Sequence, residues 1–452
     1  MKNIGTLLKT MVFLFSIVVC QRGIAQENAS GDVLKINLEK ALEIALSDNP
    51  MIKVADKEIE RVDYAKKGAW YGLIPTLNAS AQAGKYVVAG KTSMMGAVMD
   101  SPADYSVTAT LSLSLPLIVP ALWQSIQMSD LEMQVAVEKA RASKIALRGD
   151  VTKAFYSALL AQDSYESLKD GFAIAKQNYE EAKKRFDVGL AAEYDYISAE
   201  VQMHNLMPTL LQVENGIVQS KLYLKMLMGV NMSVELEVEG TLTDFEASVA
   251  GEQKYTASVE TNSDLIQLDI QQKQLQKQLQ LQRSQRLPTL VGFGQFGYSG
   301  MGTNSVMLEL MGMPYQLEAS DDWFHTGVLF GLQLNVPIFN GMTHSMKEKQ
   351  IKITSQELDL QRDYLKNSLE LQVRTSLDNM LRAMQQMESN KKGMELATKG
   401  YTISQKRYET GAGTMLELNS ALLALTQSRL TYNQSISDYL TAKAEYEKII
   451  GQ

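Results

Sequence analysis

Two acidic residues stand six positions after a glycine in matching contexts: Asp195 after Gly189, and Glu417 after Gly411. A carboxylate one turn into a helix is often placed there by the helix dipole alone. Several such acids converging on one opening would instead select cations and repel one another until paired. Other chemistry is sparse. His204, His325 and His344 form no i,i+4 pair and no HExxH pattern, so no metal site is expected. No nucleophile–base or paired-acid constellation suggests a catalytic residue, and no cofactor is expected. Gly292-Phe293-Gly294-Gln295-Phe296-Gly297 spells a dinucleotide fingerprint. It follows Pro288 inside a strand and opens no helix, so glycines packed in a sheet explain it better. Methionine is plentiful at 24 residues, with Met94, Met95 and Met99 in one stretch and Met301, Met307, Met311 and Met313 in another. Thioethers can hold Cu(I), and they also serve as flexible filler.

Composition bounds the class. The 452 residues are 45 % apolar and 21 % charged with net charge -7, as expected of a folded chain with no basic face for nucleic acid. Lys2 and Lys9, the apolar run 11–19 and Gly23-Ile24-Ala25 read as a signal peptide over 1–25. Cys20 lies inside it. Acylation at Cys20 is the competing reading, but Val19 is bulky where lipoprotein sites carry a small residue. No later segment reaches the ~18–20 apolar residues of a spanning helix, so any membrane contact must be made by a closed β-barrel.

The elements that position the two acids are duplicated. Leu73-Ile74-Pro75-Thr76-Leu77 recurs as Arg286-Leu287-Pro288-Thr289-Leu290, Leu115-Pro116-Leu117 as Val336-Pro337-Ile338, and Arg185-Phe186-Asp187-Val188-Gly189 as Arg407-Tyr408-Glu409-Thr410-Gly411. Leu227-Met228-Gly229 matches Ile449-Ile450-Gly451. The offset of ~215–220 residues is far beyond solenoid periods. We expect a first repeat over 26–230, a linking segment over 231–254 and a second repeat over 255–452. Each holds a leading helix (about 56–70 and 264–286) and two strands (about 75–88 and 105–117; 287–300 and 325–338). Two long helices follow (about 123–188 and 194–228; 342–409 and 415–450). The prolines mark strand–helix junctions at Pro75, Pro116, Pro288 and Pro337.

The strands alternate. Val107, Ala109, Leu111, Leu113 and Leu115 oppose Ser106, Thr108, Thr110, Ser112 and Ser114, and Val328 to Val336 repeat the pattern with Leu329 as the exception. Such segments suit a lipid-facing barrel or a half-buried soluble sheet. Four strands cannot close a barrel, which needs about eight, so several chains must pool them, and three would give about twelve. The long helices carry seams at 3/4 spacing: Leu365, Leu369, Val373, Leu377, Met380, Met384 and Met387, with Leu147, Val151, Phe155 and Leu159 in the first copy. A helix of some 65 residues spans about 100 Å and belongs in a coiled-coil rod or tunnel wall. The Gln-rich run 267–282 carries Ile270, Leu275, Leu279 and Leu281 at amphipathic spacing.

With Leu38 to Leu42, Asn49-Pro50, the paired Pro-Thr-Leu entries, the Pro-marked junctions and the paired Arg-aromatic-x-x-Gly tips, the mature chain resembles the TolC-like outer-membrane efflux family. The resemblance implies a mainly α fold with a transmembrane β-barrel: a homotrimer with twelve strands in outer-membrane lipid, continued by a helical tunnel through the periplasm. It implies a mixed equatorial region from Met232 to Tyr255. It further implies an exit duct of a tripartite efflux or type I secretion system, fed by an inner-membrane RND or ABC-type pump through a periplasmic adaptor. Arg185, Gly189, Leu190, Arg407, Gly411 and Ala412 match the adaptor-docking tips, and Asp195 and Glu417 the aperture acids. Two positions depart: Ser420 stands where many relatives have a second acid, and Gly413 where some carry a closure-locking arginine. The rival reading is a periplasmic coiled-coil adaptor or scaffold without a barrel; an adaptor would show one helical hairpin between β-rich halves.

Overall fold

The computed structural model describes residues 33–88, 91–94, 97–100, 105–248, 258–302, 306–310, 313–317 and 324–451. The signal segment 1–25 with Cys20, and Met95, Met311 and residues 249–254 of the linking segment, lie outside them. Two long hairpins dominate: α3 (Pro120–Asp187) with α4 (Glu193–Met228), and α6 (Thr343–Glu409) with α7 (Met415–Ile449). Shorter helices α1 (Leu38–Asp48), α2 (Pro50–Tyr71) and α5 (Ser263–Ser284) complete the helical part. The first-copy seam is buried, with Val151, Phe155 and Leu159 at 0 % exposure. Leu369, Val373, Met380 and Met387 are buried in the second copy. Leu365 and Leu377 pack against that core, while Met384 is exposed.

Helix α3 packs against α4 and α7, and α7 against α6. In the other half of α3's length its neighbours are α2 and α5, with α5 against α6. The wall therefore runs α4–α3–α7–α6 near the tips and α2–α3–α5–α6 near the sheet. Helices α4 and α2 stack end to end, and so do α7 and α5. One asparagine splices each pair. Asn49 Nδ2 donates to Leu227 O at 2.6 Å and its Oδ1 accepts from Met51 N at 2.7 Å. Asn262 Nδ2 donates to Ile449 O at 2.8 Å and its Oδ1 accepts from Asp264 N at 2.9 Å. Each side chain thus satisfies an orphan carbonyl of one helix and an orphan amide of the next. Gly229 (φ 71°) makes the turn possible: a Cβ there would lie 2.7 Å from Asp48 O.

The sheet has the order β10–β7–β5–β2, all antiparallel, from β2 (Thr76–Lys85), β5 (Tyr105–Ile118), β7 (Thr289–Gly302) and β10 (Phe324–Asn335). Within each copy the strand pair is joined through a short hairpin, β3 (Lys91–Met94) with β4 (Ala97–Asp100), and β8 (Val306–Leu310) with β9 (Met313–Leu317). Register carries the alternation across all four strands. Val328, Phe296, Leu111 and Ala79 form one row, and Phe330, Gly294, Leu113 and Leu77 the next. This apolar face is open: Leu77 is 64 % and Phe330 74 % exposed. Thr110, Ser112, Ser80 and Asn78 occupy the opposite face.

Register explains Gly294 of the fingerprint and, outside it, Gly331. A Cβ on Gly294 would meet the Phe330 ring at 2.7 Å, and one on Gly331 would meet Phe293 at 2.8 Å. Each aromatic covers a cross-strand glycine, the arrangement that pins register in curved sheets.

Three prolines sit between strand and helix: Pro75 and Pro288 just before β2 and β7, and Pro337 beyond β10. Pro116 does not. It lies inside β5, two residues past the last β2 pairing (Thr76↔Ser114) and at a register shift against β7. A residue without an N–H is tolerated where the strand has lost one neighbour. The proline that opens the helix is Pro120, at its first position.

Between the repeats, β6 (Leu236–Val238) pairs in parallel with β1 (Leu34–Ile36), and a 3-10 helix spans Leu242–Ser248. Asp163 of α3 accepts from Leu242 N at 2.8 Å. Glu246 accepts from Lys391 Nζ at 2.6 Å and Tyr432 Oη at 2.8 Å, tying this segment to α6 and α7.

Candidate functional site

Both hairpins turn through the same backbone device. In the first, Gly189 (φ 78°) follows the helix, Leu190 N donates to Arg185 O at 2.7 Å and Gly189 N to Phe186 O at 2.8 Å. In the second, Gly411 (φ 74°), Ala412 N to Arg407 O at 2.8 Å and Gly411 N to Tyr408 O at 3.1 Å repeat it. These are Schellman turns, which require the left-handed conformation that glycine adopts without penalty. Leu190 is 79 % exposed.

The acids fall at the third position of the returning helices. Glu417 closes a Thr-x-x-Glu capping motif, with Glu417 N donating to Thr414 Oγ1 at 3.2 Å. The first copy has Ala192 at the cap and no side-chain cap bond. Glu417 also pairs with Arg407 at 3.4 Å. Among the described residues, Asp195 has no such cation partner. Gly413 leaves room for that pair: a Cβ there would lie 3.0 Å from Arg407 Cβ and 3.3 Å from Glu417 Oε2.

The two tip arginines, equivalent by repeat, do different work. Arg407 stays within its own hairpin, on Glu417 and on Ala412 O at 3.1 Å. Arg185 leaves its hairpin and donates to Tyr408 O at 3.2 Å and Glu409 O at 3.3 Å, its guanidinium 5.0 Å from the Tyr408 ring centroid. A cation on the last carbonyls of α6 suits that helix end. Burial pushes the Tyr408 phenol up, the Asp195 carboxylate adds to this and Arg185 opposes it. Sequence reasoning missed this crossing contact, Asn419 Nδ2 donating to Ser198 Oγ at 3.2 Å, and a concavity of about 330 Å³ behind the tips. Tyr194, Ile197, Val201, Leu416, Ser420 and Leu423 help to line it.

Elsewhere, no group of acids, histidines or cysteines suited to a metal occurs among the described residues, and no helix among them is long and apolar enough to cross a membrane.

The fold is thus that of a duplicated hairpin protein, mainly helical, with an amphipathic four-stranded sheet at the end remote from the tips. The chain belongs to the outer membrane efflux protein family, whose model matches residues 41–230 and 255–452. It is an outer-membrane protein with a periplasmic extension. The family is one of efflux channels rather than enzymes. The chain is 23 % identical over 349 residues to the outer membrane protein TolC of Vibrio cholerae serotype O1, with 76 % of each covered. Its fold is similar to the CmeC outer membrane channel of Campylobacter jejuni, with TM-score 0.72, 14 % identity and 92 % and 85 % of the two chains covered. It is likewise similar to the open state of the MtrE outer membrane channel of Neisseria gonorrhoeae, with TM-score 0.70, 15 % identity and 92 % and 88 % covered. Membership of this efflux family, rather than of one of periplasmic adaptors, decides against the adaptor reading.

Proposed function

We propose that three copies of this chain form a passive exit duct across the outer membrane, in a tripartite efflux or type I secretion system. The observation that carries the reading is that sheet and helical wall both end in open, mutually suited edges. Among the described residues, strands β2 and β10 each lack a neighbour on one side, and unpaired amides beside an apolar face are intolerable in lipid unless the sheet closes. The outer helices of the wall expose apolar seams. Near the tips Leu211 and Val218 of α4 and Leu381, Leu396 and Ile403 of α6 are exposed, and near the sheet Val54 and Tyr64 of α2 and Ile353, Leu360 and Tyr364 of α6. Joining β2 to the next copy's β10, and α4 to its α6, is a head-to-tail interface that closes as a ring. Three copies give a barrel of about twelve strands.

In this reading 1–25 is a leader, 26–230 and 255–452 are the repeats, and 231–254 belongs to an equatorial belt. The hairpin ends (Arg185, Gly189, Leu190, Arg407, Gly411 and Ala412) meet a periplasmic adaptor, a membrane fusion protein linked to an RND or ABC-type inner-membrane pump. Asp195 and Glu417 line the aperture as six carboxylates. Planar-bilayer recording tests the duct: the purified full chain should form cation-selective channels and sediment as a trimer. A monomer without conductance would overturn the proposal.

A further inference from the structure

The two sheet–helix junctions differ in charge, although the repeat makes them equivalent. At the first, Lys66 pairs with Asp130 at 2.9 Å and Lys67 with Asp63 at 2.6 Å, and residues 120–129 carry no charge. At the second, Arg283 and Arg286 end the α5 side, while Lys347, Lys349 and Lys352 stand on the first turns of α6. The acid among them is Glu348. It is paired with Arg286 at 2.6 Å and lies 3.6 Å from Arg283. Against a chain of net charge -7, this is a local excess of cations.

The geometry joins that excess to the apolar face. Beyond β10 the alternation of Val328, Phe330, Leu332 and Leu334 runs on through Val336 and Ile338. A concavity of about 360 Å³ is lined by Arg286, Ile338, Phe339, Met342, His344 and Ser345 among others. Ile338 is 93 % and Phe339 81 % exposed. Arg286 also donates to Ser345 Oγ at 3.2 Å, and Gln282 holds the His344 ring. A hollow with guanidinium on one wall and bare aliphatic and aromatic side chains on the other has the two-part character of a lipid at the membrane boundary.

We propose that this second junction binds the headgroup of an anionic phospholipid of the inner leaflet, its phosphate held by Arg286 with the flanking cations and its first methylenes lying on Ile338 and Phe339. The inference rests on the duct reading, which places the apolar face in lipid. The first junction, with its cations neutralised, does not share the role.

Native mass spectrometry of the purified full chain, titrated with phosphatidylglycerol or phosphatidylcholine, tests it. Phosphatidylglycerol adducts should be favoured about ten-fold. Arg283→Gln with Arg286→Gln should abolish the preference. That change strands Glu348, so Lys347→Gln with Lys349→Gln, which touches no ion pair among the described residues, is the second variant and should reduce the preference several-fold. Lys66→Gln with Lys67→Gln should leave it intact. Equal adduct formation by the two lipids, or an unchanged preference in both second-junction variants, would overturn the inference. So would loss of the adducts to inorganic phosphate at equal concentration, which marks a free-anion site. Bilayer conductance separates the two readings: a conducting protein without the preference removes this inference alone, and a protein that does not insert removes both.

Discussion

Arg185 donates to the backbone carbonyl of Tyr408 at 3.2 Å across the gap between the two hairpins, with its guanidinium over that residue's ring. The phenolic oxygen of Tyr408 is buried and has no hydrogen-bond partner among the described residues. The link therefore runs through the main chain and the ring face, and the hydroxyl is dispensable to it.

Arg185→Gln should loosen the tips. Charged hydrogen bonds to carbonyls contribute about 1.5–3 kcal/mol when buried, and about 1 kcal/mol at a partly exposed site such as this. In the proposed trimer that raises the occupancy of wider conductance states about five-fold. Tyr408→Phe should change occupancy by less than two-fold. Single-channel recording of both variants is the check, and equal effects would refute the main-chain link.

The aperture acids should not be interchangeable. Glu417 already shares its charge with Arg407, whereas Asp195 has no cation partner among the described residues. Reversal potentials in a potassium chloride gradient should fall further with Asp195→Asn than with Glu417→Gln. Arg407→Gln should increase cation selectivity by freeing Glu417. A flat response across all three would remove both acids from the aperture.

The splicing asparagines make separate contributions to stability. Asn49→Ala and Asn262→Ala each remove a cap and leave a carbonyl unpaired, at about 1–2 kcal/mol apiece. Asn49→Asp keeps the acceptor for Met51 N and loses the donor to Leu227 O, so it should be no better. Gly229→Ala, forced onto Asp48 O, should be worse than either alanine change. Thermal unfolding followed by circular dichroism ranks them.

The equatorial contact has a defined acid limit. The hydrogen bond from Lys391 is the largest cause holding Glu246 below its ordinary 4.5, with Tyr432 adding. A depressed carboxylate stabilises above its unfolded value, and the contribution is lost as pH falls through the folded one. Hydrogen exchange across Leu242–Ser248 should stay slow from neutrality to about pH 5 and quicken below 4.5. In Glu246→Gln it should be faster at neutral pH and lose the acid step.

Much of this was legible because the duplication spells its parts twice. The alternation of Val107 to Leu115 predicted a strand that runs Tyr105–Ile118, and the seam of Leu147 to Leu159 predicted a buried helix face. What periodicity does not carry is contact between elements. Arg185 and Arg407 read as equals because nothing local says which one crosses to the other hairpin. Pro116 read as a junction because a proline near a strand end resembles one, while Pro120 stood four residues on. The three-residue strands β1 and β6 are too short to show a period. Asn262 had a signal that could have exposed it: like Asn49, it precedes a helix start, and the endings Gly229 and Gly451 are its repeat-related companions.

The splices also give the wall a preferred plane of bending. Above and below it, rods are held by continuous peptide ladders; at it, α4 meets α2 through Asn49, and α7 meets α5 through Asn262 and the Thr261 hydroxyl, which donates to Ile450 O at 2.6 Å. Tilting the lower rods there breaks no helical rung in either spliced column, and only α3 and α6 must flex. The wall is therefore jointed at a single height, like a row of pillars with every second one cut at the same course.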